Sequence, residues 1–213
     1  MSGYDPVLFD LDGTLIDTVT LIRESHRHAV RTVLGKNLPD AELVAHVGRP
    51  LIEQMAVFSP NHADELYGAY RTWNHANTAA LVRSYDGISE LLDTLDRSGR
   101  TLGVITSKSR DAVALAFAAI PIEHRFATVV AEDDTTRHKP NAEPILLALE
   151  RLGASPVHAV YVGDSPYDLQ AAHAAGIHAI AVTWGFFSRA DLAAEHPVAI
   201  VDTPAELAEL LDG

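Results

Sequence analysis

The spacing of apolar residues divides the chain into two kinds of segment. In residues 17–83, apolar residues recur at helical spacing and Gly35, Pro50 and Pro60 interrupt the pattern, which predicts about four helices and no strand. Elsewhere, short apolar runs rich in valine, isoleucine and alanine alternate with amphipathic stretches that predict helices. The apolar runs predict strands at residues 7–9, 102–105, 128–131, 159–162, 178–182 and 198–201.

The alternation of strands and helices indicates an α/β fold. Strands that are separated by helices pair in parallel, and helices cover both faces of such a sheet. The helical segment interrupts this alternation directly after the first strand. We therefore predict a core domain made of residues 1–16 and 84–213, with an all-helical domain, residues 17–83, inserted above the carboxyl ends of the strands.

Composition and charge restrict the classes of protein that fit this fold. The hydrophobic content of 47% suffices for a packed core, and the formal net charge of −13 argues against nucleic acid or an anionic membrane as partner. The absence of cysteine excludes disulfides and thiolate catalysis. Because we find neither a signal-peptide pattern nor a membrane-spanning apolar run, we expect a cytoplasmic protein. An anionic substrate would have to be attracted locally, by a metal ion and a few cations.

Two acidic residues stand at the end of the first predicted strand. Asp10 and Asp12 are two positions apart, so their side chains point to one side at the carboxyl end of a strand, where open α/β sheets bind ligands. Carboxylates this close repel each other unless a cation lies between them, and an all-oxygen site favours Mg²⁺ over Zn²⁺. The alternative is a solvated turn, because aspartate and Gly13 are ordinary turn residues.

Two further segments carry polar residues near predicted strand ends. Thr106 and Ser107 follow the strand at 102–105 and suit a phosphoryl oxygen, although capping a helix is the commoner role of such residues. Lys139 follows an acidic loop and precedes Pro140. It is either an exposed turn residue or a cation that neutralises a nucleophile and a transferring phosphoryl group.

A second strand–carboxylate–helix pattern occurs near residue 164. Asp164 follows the strand at 159–162 and is placed to give a metal ion another oxygen ligand. Asp168 lies four residues further on, where it would support the metal ligands without touching the metal. Pro166 also fits the first turn of a capped helix, and the two interpretations are compatible.

These residues occur in one order along the whole chain, and together they resemble a known family. The string Asp10-Leu11-Asp12-Gly13-Thr14-Leu15-Ile16-Asp17 resembles the first motif of the haloacid dehalogenase-like (HAD) hydrolases, and Thr106, Lys139 and the Asp164/Asp168 pair resemble its later motifs. The resemblance implies a Rossmann-like core and a helical type-one cap. It also implies an aspartyl-phosphate mechanism with Mg²⁺ as cofactor and a small phosphorylated metabolite as substrate.

The resemblance implies a role for each motif residue. Asp10 would be the nucleophile, and Asp12 would be the general acid and base. Mg²⁺ would be held by Asp10, Asp164 and the backbone carbonyl of Asp12. The phosphoryl group would be bound by Thr106, Ser107 and Lys139.

Within the family, the resemblance favours phosphoglycolate phosphatases and related pyrophosphatases. Phosphosugar mutases of the family usually have glutamate at the position of Gly163, and dehalogenases and phosphonatases lack the acid that is Asp12 here. A nucleotidase, a phosphosugar mutase and a non-catalytic binding protein on the same fold stay open as alternatives.

Arg49 is the candidate residue for substrate choice. Gly48 and Pro50 break the helical pattern on either side of it, so it is predicted to lie in a loop of the helical segment. The resembled family uses such loop residues to contact the distal end of the substrate. The planar fork of arginine suits a carboxylate or a second phosphate, and a solvated surface arginine is the alternative.

Overall fold

The computed structural model describes residues 3–212. The chain forms a six-stranded sheet and a separate two-stranded ladder. The strands are β1 (Val7–Phe9), β2 (Ile16–Asp17), β3 (Arg83–Ser84), β4 (Leu102–Ile105), β5 (Thr128–Val130), β6 (Val160–Gly163), β7 (His178–Val182) and β8 (Ala199–Val201).

Ten α-helices are found in the described part of the chain. They are α1 (Val19–Leu34), α2 (Asp40–Val44), α3 (Leu51–Phe58), α4 (Ala63–Leu81), α5 (Ile88–Arg97), α6 (Arg110–Ala119), α7 (Glu143–Leu152), α8 (Pro166–Ala174), α9 (Arg189–Ala193) and α10 (Pro204–Asp212). None of the helices within residues 3–212 is long and apolar enough to cross a lipid bilayer.

The large sheet is parallel throughout and has the order β5-β4-β1-β6-β7-β8, which confirms the predicted α/β fold. The first strand lies at its centre, because Phe9 pairs with Val104 of β4 on one side and with Val162 of β6 on the other. The residues that follow β1, β4 and β6 therefore meet at one edge of the sheet, as expected for parallel strands.

Alternating side chains of each strand pack on opposite faces of the sheet. Val7 and Phe9 are fully buried in a cluster with the leucines of α5 and the inner faces of α6 and α10. Leu8, between them, is buried in a second cluster with α7 and α8. A strand that is buried on both faces must be apolar at every position, which explains the continuous runs in the sequence.

The helical segment has a hydrophobic cluster of its own. Residues from α1, α2, α3 and α4 form it, with Ala29, Met55 and Leu66 completely buried. Helices α1 and α4 are long and pack closely on each other. Helices α1 to α4 all follow β1 in the chain and precede β4, at the insertion point that the sequence predicted. The boundaries of two separate domains, at residues 16/17 and 83/84, stay a prediction.

Several local features differ from the sequence-based prediction. Residues Ile16–Asp17 and Arg83–Ser84 form a short antiparallel ladder, which joins the two connections of the helical segment where no strand was predicted. Pro60, which marks one break in the helical pattern, begins a 3₁₀ turn, Pro60–His62, and α4 follows directly from Ala63. A strand of two residues is too short to produce a periodic sequence pattern. A proline can begin a 3₁₀ turn as well as an α-helix, so the sequence does not show where α4 begins.

Candidate active site

The site begins at Asp10, the residue that follows the central strand. Its backbone N–H donates to the carbonyl of Val162 at 2.9 Å, which continues the sheet pairing by one residue and fixes the Asp10 backbone. The residue is buried, at 5% exposure. A carboxylate in such a position needs hydrogen-bond donors or a cation to offset the loss of water.

Lys139 supplies that cation. Its Nζ donates to Asp10 Oδ1 at 2.7 Å, to Asp168 Oδ1 at 2.6 Å and to the Tyr161 hydroxyl at 3.2 Å. The lysine is 3% exposed, so the interpretation as an exposed turn residue is wrong. With three acceptors for its three N–H donors, the ammonium is fixed in one position.

Asp168 links this lysine to the start of α8. Its Oδ2 accepts from the backbone N–H of Ser165 at 3.0 Å and from the Ser165 hydroxyl at 2.6 Å, and the Ser165 hydroxyl accepts in turn from the Asp168 N–H. This is a capping box. Because Oδ1 is bound by Lys139 and Tyr161, both carboxylate oxygens of Asp168 are already occupied.

Asp164 is held from the other side of the site. Its Oδ1 accepts from the Thr14 hydroxyl at 3.2 Å and its Oδ2 from the Phe186 N–H at 2.7 Å. Two backbone segments pass close to it. A Cβ atom on Gly13 or Gly185 would come within 2.4 Å or 2.1 Å of Asp164 Oδ2, so any side chain there would displace the carboxylate.

Burial dominates the electrostatics of these groups. It raises the pKa of Asp10 to about 7, although Lys139 acts in the opposite direction. Burial likewise raises the pKa of Asp164 well above its usual range. Burial would by itself lower the pKa of Lys139, but Asp10 and Asp168 raise it well above the usual lysine value. The lysine is therefore a permanent cation, and ionisation of all three clustered carboxylates, Asp10, Asp164 and Asp168, requires more positive charge than one ammonium supplies.

A divalent cation fits this arrangement. Asp10, Asp164 and Asp168 are all buried and each offers an oxygen within 4.8 Å of the others. All three carboxylates accept protein hydrogen bonds, but only Asp10 and Asp164 also line the cavity at the strand ends, so these two are the side chains that suit a metal ion. An all-oxygen set favours a hard cation of the magnesium type.

Asp12 stands apart from the three clustered carboxylates. Its Oδ1 accepts from Lys108 Nζ at 2.7 Å, and the two side chains are 12% and 10% exposed. Sequence reasoning did not identify Lys108, because nothing in the pattern Thr106-Ser107-Lys108 shows where the lysine side chain points.

Thr106 and Ser107 lie at the end of β4 and do not cap the following helix. Ser109 precedes α6, whereas the Thr106 hydroxyl accepts from the Lys108 N–H at 3.1 Å and the Ser107 hydroxyl donates to the Gly48 carbonyl at 2.7 Å. The backbone N–H groups of Leu11, Asp12 and Ser107 take part in none of the hydrogen bonds found among residues 3–212. They are available as donors to an anion.

A cavity lies between these strand ends and the helical segment. Its floor contains Asp10, Asp12, Thr106, Lys139 and Asp164. Its opposite wall includes Arg49, Gln54, Tyr70, Arg71 and His75. The arrangement places acidic side chains on one side of a small space and the guanidinium groups of Arg49 and Arg71 on the other.

Arg49 lies in a loop of the helical segment, as predicted, and lines this cavity; its contact with a substrate stays a prediction. Gly48 before it has a φ of +101°, and α3 begins only after Pro50. The Arg49 guanidinium makes an ion pair of 2.9 Å with Glu53 and lies 5.9 Å from the centre of the Tyr167 ring. It therefore bridges the helical segment and the start of α8.

Comparison with known proteins gives consistent results. A family model described as haloacid dehalogenase-like hydrolase matches residues 7–182. The pyrophosphatase PpaX of Bacillus velezensis is 36% identical over 201 residues, which cover 94% of this chain and 93% of that protein. A Clostridium perfringens protein, provisionally assigned as a PpaX pyrophosphatase, is 36% identical over 206 residues, which cover 97% of this chain and 96% of that protein. The crystal structure of a provisionally assigned phosphoglycolate phosphatase from Lactobacillus plantarum superimposes with a TM-score of 0.86 at 27% identity, covering 98% of this chain and 99% of that one.

Proposed function

The chain belongs to the haloacid dehalogenase-like hydrolase family, and from that premise we propose that it is a Mg²⁺-dependent phosphatase that acts on a small phosphorylated metabolite through an aspartyl-phosphate. The observation that carries the proposal is the 2.7 Å contact between buried Asp10 and buried Lys139 on the floor of the cavity. Phosphoryl transfer depends mainly on positioning and on fixed positive charge, and this pair supplies both.

In the first half-reaction, a carboxylate oxygen of Asp10 forms a bond to phosphorus while the bond from phosphorus to the leaving oxygen breaks. Asp12 gives its proton to that leaving oxygen. Lys139 remains hydrogen-bonded to Asp10. Thr106 and the backbone N–H groups of Leu11, Asp12 and Ser107, which are unpaired within residues 3–212, orient the phosphoryl oxygens.

In the second half-reaction, a water oxygen forms a bond to phosphorus and the bond to Asp10 breaks. Asp12 takes a proton from the water, so inorganic phosphate leaves and both acids return to their starting states. Dividing the displacement into two steps lets a single acid, Asp12, serve as donor and then as acceptor.

Asp10, Asp164 and the backbone carbonyl of Asp12 would hold the Mg²⁺ ion. When bound, the ion supplies positive charge that offsets the repulsion between the carboxylates and a phosphate dianion. Asp168 acts indirectly, because it fixes Lys139 and the start of α8.

Residues 17–83 act as a cap domain that closes over the phosphoryl group and excludes water. The cap also selects the leaving group. Arg49 and Arg71 line the cap side of the cavity, which favours a substrate that carries a second anionic group at its distal end.

Two substrates with a second anionic group are candidates. Phosphoglycolate is the candidate that the sequence motifs favour, and it is also in the name of the Lactobacillus plantarum neighbour. Pyrophosphate is favoured by the relatives with 36% identity, which are named pyrophosphatases. Both present an anion to Arg49 while a phosphoryl group faces Asp10.

A metabolite panel tests the proposal. The purified protein with Mg²⁺ is assayed for phosphate release from pyrophosphate, phosphoglycolate, a nucleoside monophosphate, a hexose phosphate and p-nitrophenyl phosphate. We expect phosphate release from p-nitrophenyl phosphate, whose leaving group is activated, and the highest kcat/KM for pyrophosphate or phosphoglycolate. An isomerised hexose phosphate without phosphate release would indicate a mutase, and binding without any turnover would indicate a non-catalytic protein.

A further inference from the structure

We infer that Lys108 is a positioning residue that holds Asp12 for the hydrolysis of the aspartyl-phosphate. The inference rests on the proposed function. Lys108 Nζ donates to Asp12 Oδ1 at 2.7 Å, and both side chains are close to nine-tenths buried. The contact joins residues that are 96 positions apart in the sequence, so the fold has to bring them together.

The backbone of Lys108 is fixed on both sides. Its N–H donates to the Thr106 hydroxyl at 3.1 Å, and its carbonyl accepts from the Glu132 N–H at 2.9 Å. The neighbouring Ser107 hydroxyl is bonded to the cap at the Gly48 carbonyl. A side chain that starts from so constrained a backbone holds its ammonium with little freedom, which is what a positioning role requires.

The contact leaves one carboxylate oxygen of Asp12 for chemistry. Oδ1 is bound by Lys108, whereas Oδ2 has no hydrogen-bond partner among the residues that the structure describes. Asp12 and Lys108 both line the cavity. A general acid and base needs one oxygen oriented toward the reacting atom, and anchoring the other oxygen restricts the rotation that would misdirect it.

The choice of residue type supports the same role. Of the 16 basic residues only three are lysines, Lys36, Lys108 and Lys139, and the rest are arginines. Lys36 is exposed, and the other two lysines each contact one of the two acids, Asp10 and Asp12. The ammonium is a point charge that can bind one oxygen, whereas the planar fork of arginine favours both oxygens of a carboxylate.

The inference predicts which half-reaction Lys108 serves. With p-nitrophenyl phosphate the leaving group needs little protonation, so Asp10 can still be phosphorylated when Asp12 is poorly oriented. In the second step the attacking water forms its bond to phosphorus as it passes a proton to Asp12, and the bond to Asp10 breaks. Loss of Lys108 should therefore slow this step and let the phosphoenzyme accumulate.

The absence of native cysteine allows a direct chemical test. The variant Lys108→Cys is alkylated either with 2-bromoethylamine, which restores an ammonium, or with iodoacetamide, which adds a neutral amide. Rapid-quench kinetics with p-nitrophenyl phosphate and Mg²⁺ measure the nitrophenol burst, intact mass measures the phosphoenzyme, and steady-state phosphate release measures its hydrolysis. Lys36→Cys, treated in the same way, is the matched control.

We expect steady-state phosphate release by Lys108→Cys and by its neutral adduct to fall by about 30-fold, while the nitrophenol burst remains and phosphoenzyme is seen. The loss is smaller than the roughly 10²–10⁴-fold of a full general acid–base contribution, because Asp12 is still present but poorly oriented. The ammonium adduct should recover most of the rate, and the Lys36 variants should match the parent. Circular dichroism checks that each variant is folded.

Other outcomes would overturn the inference. Equal losses in the burst and in hydrolysis would make Lys108 a substrate-binding or structural residue, and equal recovery by the two adducts would remove the role of the charge. A rate within threefold of the parent in the unmodified variant would remove Lys108 from the mechanism. A parent protein that forms neither nitrophenol nor phosphate would overturn the proposed function itself, and the inference with it.

Discussion

At the scale of single residues, Asp10 is subject to opposing effects. Burial, with the neighbouring Asp168 and Asp12, raises its pKa to about 7, and Lys139 lowers it. A nucleophile must be ionised, and a divalent cation on Asp10 would act in the same direction as Lys139. For the nucleophilic role that we propose for Asp10, the lysine and a bound cation would together favour the ionised carboxylate.

The substitution Asp10→Asn tests the nucleophile. An amide is a poor nucleophile, so both covalent steps should be lost and phosphate release should fall at least ~10³-fold. The fold should remain, because the amide has nearly the same shape and stays within reach of Lys139. Asp64→Asn, an exposed change of the same kind, should have no effect on turnover. Activity within tenfold of the parent would remove Asp10 from this role.

The substitution Arg49→Ala tests substrate choice. In the structure Arg49 is paired with Glu53 at 2.9 Å, so a distal anion would share or replace that partner. Loss of a charge-assisted hydrogen bond should cost about 1.5–3 kcal/mol in kcat/KM for pyrophosphate or phosphoglycolate. p-Nitrophenyl phosphate has no distal anion and should be hydrolysed at nearly the parent rate. An equal change for both kinds of substrate would make Arg49 an ordinary surface residue.

The sequence predicts some site residues better than others. Asp10 and Asp164 follow apolar strands directly, so the rule that parallel strands end at one edge brings them together. The burial of Lys139 does not follow from a lysine before a proline. It depends on Asp168, whose position is set by the capping box of α8. Lys108 depends on the path of a loop backbone, for which the sequence carries no periodic signal.

At the scale of secondary-structure elements, helix α8 combines two tasks. Its capping box satisfies the first backbone N–H groups of the helix, and the same Asp168 carboxylate holds Lys139. The sequence predicted a capped helix start, which the capping box confirms, and the supporting role of Asp168 at a metal site stays a prediction. By contrast, helix α9 was not predicted, because its five residues cover little more than one helical turn.

At the scale of elements, the loop at Gly48 is a place where the helical segment lies against the start of α8. Gly48 has a φ of +101°, and a Cβ atom there would lie 2.8 Å from the Ser165 hydroxyl and 2.9 Å from the Tyr167 ring. Its carbonyl also accepts the Ser107 hydrogen bond. The loop before Arg49 therefore fits against the ends of β4 and β6 only with glycine.

The substitution Gly48→Ala tests this contact. We expect the loop to move away from Ser165, which should lower kcat/KM by about tenfold or more because a displacement near 1 Å is costly in a closed site. Gly35→Ala is the matched control. Gly35 also has a positive φ, of +64°, but a Cβ atom there meets nothing within 4 Å. It should reduce stability by a similar strain and leave kcat/KM unchanged. Equal kinetic losses in the two variants would show that strain alone is responsible.

At the scale of the whole molecule, net charge and local charge have opposite signs. The formal net charge of −13 repels an anionic substrate at long range, but Arg49, Arg71, Lys108 and Lys139 all line the cavity.

Pattern and motif order predicted the parallel sheet, the insertion point and the all-helical cap, because these depend on periodicity and connection rules. A location in the cytoplasm remains a prediction.

The helical segment also contains a buried histidine that couples its stability to pH. His26 is fully buried in α1, with ring centres 5.5 Å from Phe58 and 4.9 Å from Tyr70. Burial, with the nearby His46 acting in the same direction, lowers the pKa of His26 to about 3. The folded protein therefore keeps this imidazole neutral, whereas the unfolded chain protonates it below about pH 6.5.

Between about pH 6.5 and pH 3, His26 is protonated in the unfolded chain but not in the folded protein. Acidification in this range therefore lowers the free energy of unfolding. From pH 7.5 to pH 5, His26 should reduce the free energy of unfolding by about 2 kcal/mol. Asp10 acts in the opposite direction in this window, since its raised pKa lets the folded state bind a proton first. The difference between parent and His26→Phe therefore isolates the histidine. Urea titrations at several pH values measure the free energy of unfolding. On acidification, this free energy should rise by about 2 kcal/mol in His26→Phe relative to the parent. The exposed control His173→Phe should show no such difference from the parent. Parallel curves for parent and His26→Phe would show that His26 is not what makes acid destabilising.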